Sequence, residues 1–176
     1  MRRIVYSVAM SLDGFIAAPD GEYDWIPNEP DIDWGAFIER FDTVLMGRRS
    51  YEAALTAPGG GALPDLRTIV ISTTLRPEDH PDVRVVSKEV DRVIEALRRA
   101  SGKDIWLFGG GSLFRSLLER GHVDRVEIGL IPVLLGGGIP LLPQPAATVP
   151  LRLVDQHTYP TTGTVLLTYE VQRPAT

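Results

Sequence analysis

The sequence contains no cysteine, and this absence removes several kinds of chemistry at once. Disulfide bonds, thiolate nucleophiles and cysteine-ligated metal sites are all excluded. The three histidines, His80, His122 and His157, are scattered without the spacing of metal ligands and without an attending nucleophile. We therefore expect neither a metal site nor a hydrolase.

Long apolar runs and net positive charge are missing as well. No stretch approaches the ~20 consecutive apolar residues of a membrane-spanning helix, and the first residues lack the pattern of a signal peptide. We expect a cytoplasmic protein with no membrane partner. The net charge of −5 argues against a nucleic-acid partner, because phosphate backbones are bound by a basic surface. A small anionic ligand needs only a local cluster of cations.

The remaining composition is that of an ordinary soluble globular protein. Of the 176 residues, 44% are hydrophobic and 23% are charged. A chain of this length can bury a substantial core, and it shows no internal repeat, low-complexity segment or linker. We expect a single domain over residues 1–176.

Short β-branched runs alternate with helical patterns along most of the chain. The runs that predict buried strands include "IVYSVAM", "TVLMG", "RTIVIST", "VRVVS" and "DIWLFG". Apolar spacing predicts one helix around Trp34, Phe37, Ile38 and Phe41, and another from Val90 to a C-cap near Gly102. Further helices are predicted from Arg48 and after the triple glycine. The pattern favours an α/β fold with a largely parallel sheet, and the two alternating segments around 160–163 predict a C-terminal antiparallel hairpin.

The stretch "DTVLMGRRSYEAAL" places two arginines where a strand ends and a helix begins. The positive end of the helix dipole lies at the N-terminus, so cations there are disfavoured by roughly 0.3 to 1 kcal/mol each. An anionic ligand against Arg48 and Arg49 would explain their position. A solvated helix end is the alternative.

Two other strand ends carry comparable chemistry. The glycines at 109–111 separate a strand from a helix, where bare backbone and free N–H groups can hold a pyrophosphate. Their spacing is not G-x-G-x-x-G, so the ordinary dinucleotide fingerprint is absent. The strand "IVIST" ends in hydroxyl residues at 72–74, with Arg76 close behind. Ligands bind at this edge of open α/β sheets, and three such turns argue against coincidence.

These motifs, in this order, resemble the dihydrofolate-reductase-like superfamily. The resemblance rests on "MSLDGFIA", "VLMGRRSYE", "IVIST", "WLFGGGSLFRSLLERGHVDRVEIGLIPVLLGGG" and the closing hairpin, and it spans nearly the whole chain. The chain is most similar to the branch named for the C-terminal reductase domain of bifunctional riboflavin-biosynthesis enzymes. The resemblance implies a mostly parallel central sheet of about eight strands with flanking helices, which binds NADPH across its strand ends.

The resemblance also implies roles for individual residues. In the family, the Gly-Arg turn and the Ser/Thr after the next strand hold the adenosine phosphates, and the triple-glycine turn holds the pyrophosphate and nicotinamide side. The backbone near Ala9 and the side chain of Ile16 would flank the nicotinamide. The implied cofactor-binding residues are Ala9, Ile16, Gly47, Arg48, Arg49, Ser72, Thr73, Gly109, Gly110, Gly111, Ser112 and Leu113, with Arg76 added for its chemistry.

Asp33 is the candidate catalytic residue. In dihydrofolate reductases, a carboxylate at the start of the helix after the first long loop contacts the pterin, and "DWGAF" aligns Asp33 with it. An N-cap is the alternative, because aspartate is favoured there. Asp13 is expected to form a turn, and Trp34 is expected to belong to the core.

The resemblance implies an NADPH-dependent reductase of a small heterocyclic substrate. The reaction would be like the reduction of 5-amino-6-(5-phosphoribosylamino)uracil to its ribitylamino product. A dihydrofolate reductase and a non-catalytic NADPH-binding protein are the alternatives. We also expect a homodimer, because "VEIGLIPVLL" and the hairpin offer apolar surface that a domain of this size does not cover, and relatives commonly pair.

Overall fold

The structure is a computed structural model that describes residues 1–56 and 66–173. The glycine-rich segment 57–65, which the sequence predicts as the connection after the second helix, lies outside the described residues. In the described ranges, no helix has the length and apolar character that a membrane span requires.

The chain forms alternating strands and helices over most of its length. The strands are β1 (Ile4–Ser11), β2 (Phe15–Ala17), β3 (Phe41–Gly47), β4 (Arg67–Ile71), β5 (Arg84–Val86), β6 (Asp104–Gly109), β7 (Arg125–Ile131), β8 (Ile139–Pro140), β9 (Leu151–Tyr159) and β10 (Thr164–Val171). The α-helices are α1 (Trp34–Glu39), α2 (Arg48–Thr56), α3 (Val90–Arg99) and α4 (Gly111–Glu119).

Eight of the strands form one sheet in the order β5-β4-β3-β6-β1-β7-β10-β9. The first six pair in parallel, and β10 pairs antiparallel with both β7 and β9. The mostly parallel sheet and the C-terminal antiparallel hairpin predicted from the sequence are therefore confirmed. The short strands β2 and β8, which are not among the predicted strands, form a separate two-stranded sheet.

Both faces of the central parallel strands are buried, which is why these strands are continuous apolar runs. Ile4 and Tyr6 of β1 belong to the larger core cluster, to which α3 and α4 contribute. Val5 belongs to the second cluster, on the opposite face, with Trp106 and the half-buried Phe37 of α1. The alternation along β1 follows from the period of two in a strand.

Parallel pairing brings the carboxyl ends of the central strands to one edge. β3 lies between β4 and β6, so Gly47 is in register with Ile71 while its neighbour Met46 is in register with Gly109. The three turns singled out from the sequence therefore follow adjacent strands. We call this row of strand ends the ligand edge.

Two local predictions were wrong. Trp34 is 52% exposed rather than part of the core, because α1 has only six residues and the core-facing positions are Phe37 and Ile38. Gly102 is not the C-cap of α3, because the helix ends at Arg99 with Ala100 as its cap.

Candidate functional site

Two helices begin at the ligand edge directly after their strands. α2 starts at Arg48, immediately after β3, and α4 starts at Gly111 with Gly110 as its N-cap. Gly110 has no side chain to cap the helix, and neither helix has an acidic residue in its first turn. In α4, the N–H groups of Gly111, Ser112 and Leu113 precede the first helical bond, which Phe114 N–H donates to the Gly110 carbonyl at 3.0 Å. Free N–H groups at a helix N-terminus favour an anion.

The glycines of the β3 and β6 ends let the two backbones approach closely. A Cβ on Gly47 would lie 3.7 Å from the Gly109 carbonyl oxygen and 3.9 Å from the Gly110 nitrogen. Gly109 has φ +137°, in the region that favours glycine. The two turns therefore present one continuous strip of backbone at the ligand edge.

Gly111 has a different reason to lack a side chain. A Cβ there would lie 2.8 Å from the Pro140 carbonyl oxygen and 3.0 Å from Cδ of Pro143. The segment around β8 thus packs directly on the start of α4. The bare Cα at this position serves packing, and only the backbone N–H is available to a ligand.

The arginines at the ligand edge are exposed and weakly held. Arg48 pairs with Glu52 at 3.1 Å and Arg76 with Asp79 at 3.0 Å, both within a single helical turn. Arg49 makes no ion pair with any residue of the described ranges. Exposed pairs of this kind are worth only about 0 to 1 kcal/mol, so a phosphate can displace them.

Ser72 is buried and shapes the turn after β4. Its Oγ accepts hydrogen bonds from the N–H groups of Thr74 at 3.2 Å and Leu75 at 3.1 Å. The exposed hydroxyl at the start of this turn belongs to Thr73. Of the two residues predicted for phosphate contact here, Thr73 therefore offers the accessible group and Ser72 fixes the backbone.

Asp33 is the N-cap of α1. Its Oδ1 accepts a hydrogen bond from Ala36 N–H at 2.9 Å, which is the N-cap geometry that the sequence left open as the alternative role. The residue is exposed. The cap uses one of the two carboxylate oxygens.

A chain of aromatic rings runs from α1 to the end of β6 on the face that carries α1. Ring centroids are 5.8 Å apart for Trp34 and Phe37, 5.1 Å for Phe37 and Trp106, and 5.1 Å for Trp106 and Phe108. The two ends of this aromatic row, Trp34 and Phe108, are 52% and 36% exposed. Sequence reasoning missed Phe108, although its place directly before the glycine turn was a usable signal.

The two residues predicted to flank a nicotinamide lie on β1 and β2. Ala9 of β1 is in register with Gly129 of β7, and a Cβ on Gly129 would lie 3.9 Å from Cα of Ala9. Ile16 lies in β2 and is half-buried. At this pair of positions the two adjacent strands carry no side chain larger than a methyl group.

An ion pair with one buried partner lies on the same face of the sheet. Glu127 of β7 is 4% exposed, and Arg40 at the end of α1 donates to both of its oxygens, at 3.1 and 2.5 Å. The Arg40 guanidinium also lies over the rings of Phe37 and Phe41. This pair fastens α1 to β7.

Asp13 holds the loop after β7. Its carboxylate accepts hydrogen bonds from the Ser11 hydroxyl at 2.6 Å and from the N–H groups of Leu135 and Gly136 at 3.1 and 2.7 Å. These hydrogen bonds lower the pKa of the Asp13 carboxyl group, and the bond from Ser11 has the largest effect. Its role is structural, as the sequence predicted, although the bonded loop is distant in sequence. Among the described residues, no group of His, Asp or Glu is arranged to hold a metal ion.

Comparison with known proteins agrees with this geometry. The family model described as the RibD C-terminal domain matches residues 2–167. The chain belongs to the RibD C-terminal domain family. It is a reductase-like domain of the kind found in riboflavin biosynthesis proteins.

Full-length similarity extends to individual members of the RibD C-terminal domain family and to solved structures. The chain is 31% identical over 179 residues to uncharacterized protein YyaP of Bacillus subtilis, covering 96% of this chain and 94% of that protein. A Shewanella sp. PV-4 protein, provisionally named a riboflavin biosynthesis protein, superimposes with a TM-score of 0.81 at 29% identity, covering 98% of this chain and 100% of that one.

Two more distant structures share the fold. One is a Thermotoga maritima diaminohydroxyphosphoribosylaminopyrimidine deaminase/5-amino-6-(5-phosphoribosylamino)uracil reductase, with a TM-score of 0.71 at 18% identity, covering 97% of this chain and 57% of that one. The other is Enterococcus faecalis dihydrofolate reductase complexed with NADP(H), with a TM-score of 0.65 at 19% identity, covering 97% of both chains. The predicted dihydrofolate-reductase-like fold is confirmed.

Proposed function

We propose that the chain is an NADPH-dependent reductase of a small heterocyclic molecule. The observation that carries the proposal is the meeting of two uncapped helix N-termini with exposed arginines at one edge of the sheet. Membership of the RibD C-terminal domain family supports a reductase. The shared fold of a dihydrofolate reductase complexed with NADP(H) supports the choice of cofactor.

The cofactor would lie along the ligand edge. The exposed arginines Arg48, Arg49 and Arg76, with the Thr73 hydroxyl, suit a phosphate monoester such as the 2′-phosphate. The N–H groups at the start of α2 and α4 suit the pyrophosphate.

NADPH supplies a hydride when bound, and the protein must orient the two partners and keep water away. Ala9 and Gly129 would lie beneath the nicotinamide ring, and Ile16 of β2 would flank it. Asp33 remains our candidate for the proton donor. Its N-cap bond does not exclude that role, because a capping carboxylate can hold a proton on its other oxygen.

Two measurements test the proposal. Calorimetric titration should show NADPH binding at least ~10-fold more tightly than NADH, because only NADPH carries the 2′-phosphate that the arginines would bind. NADPH oxidation should then be detected with at least one member of a panel of pterins and amino-pyrimidines. Failure to bind NADPH would overturn the proposal, and binding without turnover would leave a cofactor-binding protein that is not a reductase.

A further inference from the structure

Charge is divided unevenly along the ligand edge. Arg48 and Arg49 open α2 directly after β3, and the loops that follow β4 and β5 contain Arg76 and Lys88. The loops after β1 and β7 and the turn between β9 and β10 contain no lysine or arginine at all. The sequence of the segment 57–65 has none either. All basic residues in these loops therefore belong to the half proposed for the cofactor.

The other half, which we call the substrate half, is acidic. The loop after β1, residues 12–33, contains seven aspartates and glutamates. The Thr162 hydroxyl in the β9–β10 turn donates to the buried Glu29, and the Thr161 hydroxyl donates to Asp31 at 3.0 Å. These bonds fix the acidic loop against the end of the hairpin, and so hold its charge over the substrate half.

Three further carboxylates in this loop are not neutralised by an ion pair with any described residue. Asp20, Glu22 and Asp24 are exposed, and none forms an ion pair within the described ranges. Surface charges act over a Debye length of about 8 to 10 Å at physiological salt. These three carboxylates lie on the loop that Glu29 and Asp31 attach to the hairpin turn, so they add negative charge on this side of the ligand edge.

The arginines nearest to the substrate half are already engaged. Arg40 is bound by both oxygens of Glu127. Arg115 of α4 donates to the backbone carbonyls of Pro143 and Pro145, at 3.3 and 3.1 Å. Neither guanidinium is free to bind a phosphate without breaking these contacts.

What this half offers instead is aromatic surface. Trp34 and Phe108, the exposed ends of the aromatic row, lie on the face of the sheet that carries α1, the face to which Ala9 also belongs. Aromatic faces bind flat rings by stacking and need no charge to do so.

We propose that the substrate is a flat heteroaromatic molecule that carries no phosphate or carboxylate and is neutral or cationic. This inference rests on the proposed function, because it takes the substrate half to be the place where hydride is received. Such a substrate differs from the phosphorylated uracil in the name of the Thermotoga maritima enzyme. It also differs from dihydrofolate, which carries a glutamate tail. Either anion would meet acidic residues without a free cation to bind it.

The test uses two matched pairs of ligands and protein saturated with NADPH. The first pair is 5-amino-6-(5-phosphoribosylamino)uracil and its dephosphorylated form, and the second is dihydrofolate and dihydropterin. The neutral member of each pair should bind at least ~10-fold more tightly, with the gap narrowing as salt is raised. Tighter binding of the anionic members, equal binding, or no binding of either neutral member at millimolar concentration would overturn the inference.

A charge variant separates electrostatics from shape. Glu22→Gln/Asp24→Asn should strengthen binding of the anionic member about threefold or more and leave the neutral member unchanged. Asp82→Asn, at an exposed position just before β5 on the opposite edge, is the matched control and should change neither. An unchanged preference in the double variant would contradict the role of the acidic loop. NADPH affinity, measured in parallel, reports the proposed function separately.

Discussion

Tyr6 is fully buried in the larger core cluster, and its hydroxyl has no hydrogen-bond partner among the described residues. Its ring stacks on Phe114 with centroids 3.9 Å apart. Burial raises the pKa of Tyr6 well above its ordinary value. The side chain is therefore held in its neutral form by the core.

Tyr6→Phe removes only this hydroxyl. We expect the variant to be as stable as the wild type or more stable, by up to about 1 kcal/mol, because an unpaired buried hydroxyl costs free energy. Because the pKa of Tyr6 is raised only in the folded state, the unfolded chain loses the Tyr6 proton first as the pH rises. The contribution of Tyr6 to stability is therefore complete below pH ~10 and falls as the pH rises above it. Urea unfolding from pH 8 to 11 should show a shallower alkaline loss in the variant. A destabilised variant with an unchanged slope would contradict this account.

Asp33 combines a demonstrated N-cap with a proposed catalytic role, and substitution can separate the two. Asp33→Ala should lose about 1 kcal/mol of stability, whereas Asp33→Asn keeps the cap. If Asp33 also donates the proton, Asp33→Asn should lower turnover roughly 10² to 10⁴-fold with NADPH affinity unchanged. Thermal unfolding and steady-state kinetics on the same preparations give both results. Full turnover by the asparagine variant would end the catalytic assignment and leave the N-cap intact.

At the scale of elements, the described residues show one polar side-chain attachment between α1 and the main sheet. The helix has six residues, too few to be stable alone, and Arg40 at its end binds the buried Glu127. Its position determines where Trp34 and Phe37 stand. The ion pair between Arg40 and Glu127 therefore holds the α1 end of the aromatic row in place.

Arg40→Met should leave the buried Glu127 carboxylate without its cation. Breaking a fully buried pair costs about 3 to 5 kcal/mol, and we expect about 2 to 3 kcal/mol because the Arg40 side chain is 39% exposed. Arg40→Met/Glu127→Gln should recover most of this loss in urea unfolding. Arg92→Met, which breaks an exposed pair with Glu89, is the control and should cost little. A double variant no more stable than Arg40→Met would contradict the explanation.

The strands of the main sheet and the starts of α2 and α4 could be predicted from the sequence, because the apolar runs are continuous and glycines mark the breaks before these two helices. β2 and β8 could not, because two or three residues show no periodicity. The spacing from Trp34 to Phe41 mixed two elements, since Phe41 opens β3 while Phe37 lies on α1. The acceptor bonds of Ser72 and Asp33 depend on local backbone geometry, which residue type alone does not specify. The packing role of Gly111 could not be predicted either, because the proline segment that packs on it is distant in the sequence.

At the scale of the whole molecule, the sheet ends in an open edge. β9 is the outermost strand and is exposed along nearly its whole length, with Leu151, Leu153 and Val154 at 42%, 48% and 36% exposure. A long apolar edge strand is a ready template for pairing with another chain. This is the surface on which the expected homodimer would form.

Leu153→Lys should convert that dimer to a monomer, because it places a charge in the middle of the edge. Light scattering at micromolar concentration measures the mass directly. Leu55→Lys, which changes an exposed leucine of α2, is the control and should leave the dimer intact. A monomeric wild-type protein would rule out the dimer altogether.

The central claim is that the arginines of the ligand edge recognise the 2′-phosphate of NADPH. Each charge-assisted hydrogen bond to phosphate is worth about 1.5 to 3 kcal/mol. Arg48→Ala/Arg49→Ala should therefore weaken NADPH binding about 100-fold or more in calorimetric titration and leave NADH nearly unchanged. Arg3→Ala/Arg173→Ala removes two exposed arginines at the opposite edge and should change neither affinity. Equal losses for NADPH and NADH in the Arg48/Arg49 variant would contradict the account.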